Sequence, residues 1–159
     1  MIRQAAKETV YQYGAGILLS EEFIRGYDQI HHHVTTVAEH SLHVAVISVM
    51  ICLILGKLHI HTKERQMVEG ALCHDIGILD RYDKYDSNRE CYRKHPDDSA
   101  EIAKTLVDNY DATVDNIIRR HMWPATPIPP KCREGFIITL ADKIASIREV
   151  ALRRNSVRG

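Results

Sequence analysis

Between residues 35 and 55 the apolar positions Val37, Val44, Ile47, Ile51 and Ile54 recur with the period of a helix, and His40 fills the one gap in their stripe. The spacing predicts a helix with His40 turned toward the core. Val44 to Leu55 is an almost unbroken apolar run. It is too short to span a bilayer, and His40, His43 and Lys57 would lie at the membrane edges or inside the bilayer. A buried central helix is the expectation.

Before it, residues 1–30 read as one or two helices, the first broken near Gly14-Ala15-Gly16 and the second starting at Ser20, which offers an N-cap ahead of Glu21 and Glu22. A loop through His31-His32-His33 follows. After Gly56, Thr62 is a plausible cap for a helix whose stripe is Val68, Ala71, Leu72 and then Asp75, with Gly77 suited to ending it. Residues 78–94, polar with Tyr82, Tyr85 and Tyr92, read as a long surface loop of the kind that covers a site. His95-Pro96 then opens a helix with Ile102, Ala103, Leu106, Val107 and Tyr110 on its buried face. Asp111 caps a short helix whose stripe Val114, Ile117, Ile118 continues to His121 before Pro124 forbids extension. Beyond a proline-rich turn, a last helix over about 133–153 carries Asp142 on a face with Ile138 and Ala145. No stretch alternates as a strand would, so the fold class is all-α.

Composition changes the picture in one respect. The 21 basic and 21 acidic residues balance, which gives no field for nucleic acid or anionic lipid, but ten histidines in 159 residues are unusual. Cys52, Cys73, Cys91 and Cys132 show no Cys-x-x-Cys spacing and read as free thiols in a reducing compartment. The N-terminus lacks the apolar run of a secretory signal, and neither end carries a lipidation motif, so the expected location is cytoplasmic.

His40, His74, Asp75, His95, His121 and Asp142 each fall on, or at the end of, an inward helical face. Burying an ionised carboxylate without a partner is costly, so the apolar stripe ending in Asp75 demands something positive beside it. Four inward histidines and two inward acids cannot easily satisfy one another, whereas neutral imidazoles and carboxylates around divalent cations satisfy all six. We expect one domain over 1–159, with 1–30 as a helical extension and 31–153 as the metal-binding core.

The order His40, His74-Asp75, His95, His121, Asp142 resembles the HD-domain superfamily of metal-dependent phosphohydrolases. The Val44-Ala45 pair, His95-Pro96, the run His121-Met122-Trp123-Pro124 and the run Ala141 to Ser146 resemble small stand-alone bacterial members. The resemblance covers roughly residues 27–150 and implies a helical bundle with a five-helix core plus one or two N-terminal helices. It further implies that His40, His74, Asp75 and Asp142 hold one ion, and that His95 and His121, with Asp75 bridging, hold a second. The branch that cleaves cyclic dinucleotides carries a lysine after His-Asp-Ile-Gly, a paired histidine and a Gly-Tyr-Pro signature. This chain has Ile78, a single His121 followed by Met122, and no such signature.

A bridging carboxylate and a hydroxide between two cations about 3.5–4 Å apart make a nucleophile at neutral pH. The implied reaction is hydrolysis of a phosphomonoester or phosphodiester in a small metabolite or nucleotide. Mixed His and carboxylate ligation suits iron, manganese, cobalt or zinc. Asp75 would be catalytic as the bridge, and Lys143 and Lys94, each adjoining a ligand, would neutralise substrate charge, with Arg81 and Arg120 as further candidates. Asp80 is a candidate partner for a histidine ligand, and His32 matches a histidine that precedes the first ligand in the similar proteins. The same six residues also serve mixed-valent di-iron oxygenases that cleave C–C or C–P bonds, and a non-catalytic metal-stabilised regulatory module is a third reading. The expected partner is a small phosphorylated substrate, without a nucleic-acid polymer or a membrane, and a homo-oligomer is compatible with the chain.

Overall fold

The structure, a computed structural model, describes residues 1–31 and 35–156, with side chains as far as Ala151. Its central element is α3 (Val37–Lys57), which starts at a capping box: Thr36 Oγ1 accepts the Glu39 N–H, and the Glu39 carboxylate accepts the Thr36 N–H. Its inward face buries His40, Ser41, Val44, Ala45, Ser48 and Val49. By length and composition α3 could cross a membrane, with mean hydropathy 1.9, but half of that window is buried inside the fold. It packs against α1 (Ile2–Leu18), α4 (Glu64–Cys73) and α8 (Arg133–Ser156).

The remaining helices close around this centre. The short α2 (Glu21–Arg25) is capped by Ser20, as its sequence suggested. The short α5 (Arg81–Lys84) follows a 3₁₀ turn at Ile76–Ile78, α6 (Asn88–Leu106) lies against that turn, and α7 (Ala112–Arg120) bridges α4, α6 and α8. Asp111 Oδ1 accepts the N–H groups of Thr113 and Val114, which is the predicted cap of α7. Among the described residues the chain is all-α except for one antiparallel pair, β1 (Ile30–His31) with β2 (Thr35–Thr36), where the sequence suggested only a loop.

Four boundaries differ from the sequence reading. Helix α1 is not broken at Gly14-Ala15-Gly16: a Cβ on Gly14 would lie 2.3 Å from Leu72 Cδ1, so this glycine serves close approach of α1 to α4. Thr62 does not cap α4. Its N-cap is Lys63, whose N–H is accepted by the carboxylate of Glu134 on α8. Gly56 lies in the last turn of α3, which runs one residue further, to Lys57. Pro96 lies within α6, because that helix begins two turns earlier at a Ser87 cap, where the supposed loop is already helical.

Gly77 has a different task. A Cβ there would lie 2.5 Å from the His95 carbonyl oxygen and 2.6 Å from the Ser99 nitrogen, both backbone atoms of α6. The Gly77 N–H also donates to Ser99 Oγ at 2.9 Å. The absent side chain thus lets the turn after Asp75 sit directly on the helix that carries His95. Gly77→Ala should cost about 1–3 kcal/mol through overpacking and lower Tm by roughly 3–10 °C. Gly56→Ala, with nothing within 4 Å of the added carbon, should instead stabilise the helix by up to about 1 kcal/mol. Thermal melts of the two variants check the contrast.

Candidate metal centre

Helix α4 ends at Cys73, so His74 is its C-cap and Asp75 opens the 3₁₀ turn. Loosening of the backbone there lets two adjacent side chains face one point. His121 occupies the same position at the end of α7. Each uses a carbonyl of the last helical turn: His74 Nδ1 donates to Ala71 O at 2.8 Å, and His121 Nδ1 to Ile118 O at 2.7 Å. In mid-helix, His95 Nδ1 donates to Cys91 O at 2.8 Å. In the neutral rings, with Nδ1 protonated and held, each of the three presents Nε2 inward as a lone pair.

His40 is oriented differently. Its Nδ1 lies 3.0 Å from Glu149 Oε2, and its Nε2 lies 3.0 Å from Asp142 Oδ1. Glu149 is buried on α8, and its other oxygen lies 3.1 Å from His43 Nδ1. Thr35 Oγ1 on β2 also donates to it, at 3.0 Å.

The rings converge on Asp75, which is only 4 % exposed. Its Oδ1 lies 3.3 Å from both His95 Nε2 and His121 Nε2. Its Oδ2 lies 3.3 Å from His74 Nε2, 3.4 Å from His31 Nε2 and 3.7 Å from His40 Nε2. Burial alone would raise the Asp75 pKa, but the His74 charge and the hydrogen bonds of His121, His74 and His95 hold it well below the usual carboxylate range. Burial likewise opposes a charged His40, yet Asp142 and Glu149 push its pKa up to about 10. His95 rises to about 9 against its burial, through Asp75 and the Cys91 carbonyl. Burial lowers His121. Burial would raise Asp142 and Glu149, but His40 lowers both, and His43 adds to the effect on Glu149.

The donor set fits divalent cations. His74 Nε2 is buried without a hydrogen-bond partner. The Nε2 atoms of His95 and His121 face each other at 3.2 Å, an opposition of lone pairs that a cation or a proton must relieve. Donor atoms within 4.8 Å of one another form the sets His40, His74, Asp142 and His74, Asp75, His121, and a third set of His31, His40, Asp75. All six ligand candidates of the sequence are therefore brought together.

A cavity of about 290 Å³ opens on this cluster, lined by His31, Asp75, His95, His121 and Asp142 and by Arg81, Asn88, Tyr92, Met122 and Ser146. Arg81 is the one cation among its lining residues, and its guanidinium donates to Asn88 Oδ1. Lys94 and Lys143 do not face it. Neighbours on a helix diverge by about 100°, so adjacency to a ligand points a side chain elsewhere. Lys94 Nζ pairs with Glu90 on the surface of α6, and Lys143 Nζ donates to the carbonyls of Trp123 and Thr139. Among the described residues Asp80 pairs with Arg25 at 2.7 Å and with no histidine; Glu149 is the carboxylate that orients a ring. His32 lies outside the described residues. The sequence reading missed His31, which no periodicity marked, and Glu149. Glu149 was findable, since it continues the stripe Ile138, Asp142, Ala145 at the next helical step.

A family model described as HD domain matches residues 37–147, more than half of the chain. Comparison with curated proteins and with solved structures returns no match.

Glu149→Gln should weaken metal binding about 10–100-fold, as loss of a ring-orienting carboxylate does, measured by chelator competition. The metal-free protein should also respond to alkali. A histidine pKa raised in the folded state contributes stability that is complete below the unfolded value near 6.5 and lost as pH rises through the folded values, about 9 for His95 and about 10 for His40. Thermal melts of chelated protein should therefore fall in Tm from about pH 6.5 to about pH 10, while metal-loaded protein, whose ligands are already deprotonated, should not show this loss. On the acid side, the lowered Asp75 and Glu149 contribute stability that is lost as pH falls below the ordinary carboxylate range.

Proposed function

The chain belongs to the HD domain family, and on that premise we propose that it is a metal-dependent phosphohydrolase acting on a small phosphorylated metabolite or nucleotide. The observation that carries this reading is the division of Asp75 between two nitrogen sets, with His95 and His121 at Oδ1 and His40 and His74 at Oδ2. That division supports two ion positions sharing one carboxylate, the second acid being Asp142. Divalent ions held there supply Lewis acidity and activate water at neutral pH.

The protein's own groups account for the rest. Asp75 holds the two ligand sets in register. The carbonyls of Ala71, Cys91 and Ile118 and the Glu149 carboxylate fix the rings before substrate arrives, so no reorganisation is needed at the moment of reaction. Arg81 neutralises and orients the phosphate, a task that a planar guanidinium performs in bidentate fashion. A cavity of about 290 Å³ suits a small ester, and its wall from α6, with Asn88 and Tyr92, would lie against the body of that ester.

The test is phosphate release from an aryl phosphate or nucleoside monophosphate under anaerobic conditions after manganese reconstitution. We expect turnover, lost in His74→Ala and Asp75→Ala, and a rise in KM for Arg81→Ala. Asp75→Ala should lose both ions, and His121→Ala mainly one. Turnover that requires iron and dioxygen, with oxygen consumed on a hydroxyphosphonate or polyol, would sink the hydrolase reading in favour of the oxygenase one.

A further inference from the structure

We propose that His31 is a further protein ligand to a divalent transition-metal ion, on the Oδ2 side of Asp75. The proposal rests on the two-ion reading and makes the two positions unequal. His31 ends β1, is 8 % exposed, and packs its ring on that of His40 at 4.7 Å between centroids. Its Nε2 lies 3.4 Å from Asp75 Oδ2, and the donor atoms of His31, His40 and Asp75 all lie within 4.8 Å of one another.

The convergence itself argues for a ligand over a hydrogen-bonding partner. Three imidazole nitrogens, those of His31, His40 and His74, approach one carboxylate oxygen. That oxygen has two lone pairs, and in the neutral His74 ring, whose Nδ1 proton is committed to Ala71 O, Nε2 has no proton to donate. A cation between the nitrogens and the oxygen accommodates all three.

The strand pair is built to hold His31 there. Two-residue strands have no stability of their own, and this pair is fastened at Thr35, which stands opposite His31 and donates to Glu149, the carboxylate that also orients His40. His31 and His40 thus share one anchor.

The consequence is an asymmetric centre. One ion takes His31, His40, His74, Asp75 and Asp142, and the other takes His95, His121 and Asp75. With five protein ligands the first would be held tightly, and the second, with three, would be the more readily exchanged and the more open to the cavity.

Cobalt(II) titration of the metal-free protein against a chromophoric chelator, followed by visible absorption, tests this. The wild-type protein should bind two ions in a tight and a weak step. His31→Ala should weaken the tight step by about 10-fold or more, change the cobalt absorption of that step, and leave the weak step in place. His121→Ala should remove the weak step alone. His31→Gln keeps a hydrogen-bond donor for Asp75 but is a poor ligand, so it should behave as His31→Ala, and added imidazole should restore the tight step in His31→Gly. An unchanged tight step in His31→Ala, or full recovery by His31→Gln, would overturn the assignment of His31. One ion or none in the wild-type protein would instead overturn the two-ion reading, and with it this one. Circular dichroism at matched temperature confirms that each variant is folded.

Discussion

A carboxylate with 4 % of its surface exposed must be compensated, and Asp75 is that carboxylate. Ionised groups in a low-dielectric interior persist only when opposite charge or several hydrogen bonds surround them. Asp75 meets the requirement with nitrogens on both oxygens, contributed by β1, α3, α6, α7 and its own neighbour at the end of α4. The arrangement of the bundle follows from delivering those rings to one point. Gly77 lets the turn after Asp75 touch α6, and Gly14 lets α1 close on α4 behind it.

Delivery alone does not orient an imidazole, and the fold solves that problem with acceptors it already owns. The last turn of a helix has carbonyls without intrahelical partners. A histidine at the C-cap satisfies one of them and in return fixes its own tautomer, which is what His74 and His121 do. His40 sits in the first turns of α3, far from any such end, and takes Glu149 instead. The two devices have different chemistry: a carbonyl is fixed in charge, while a carboxylate also raises the basicity of the ring it holds.

The fold class and the six ligand candidates were legible because each lies on an apolar helical stripe, where a polar side chain stands out against its neighbours. Local rules failed where tertiary contact outweighed them. Gly14 reads as a helix breaker until Leu72 is seen against it, and Pro96 reads as a first helical residue until Ser87 is found capping two turns earlier. Lys94 and Lys143 adjoin ligands in the sequence, but a helix sends adjacent residues to different sides. His31 sits in a two-residue strand that no pattern announces. Glu149 stands one helical step beyond Ala145 on the same stripe, with the charged Arg148 beside it.

The span of chain between partners has a kinetic side. His40 meets Asp142 across 102 residues and Glu149 across 109. Closing long loops costs little more than closing short ones, about 0.6 kcal/mol per doubling of length, but contacts of long sequence range slow folding. A chain emerging from the ribosome holds His40, His74 and Asp75 well before it holds the acids that complete His40. Helix α8 carries both of those acids, so the centre cannot close until that helix has emerged and docked on α3.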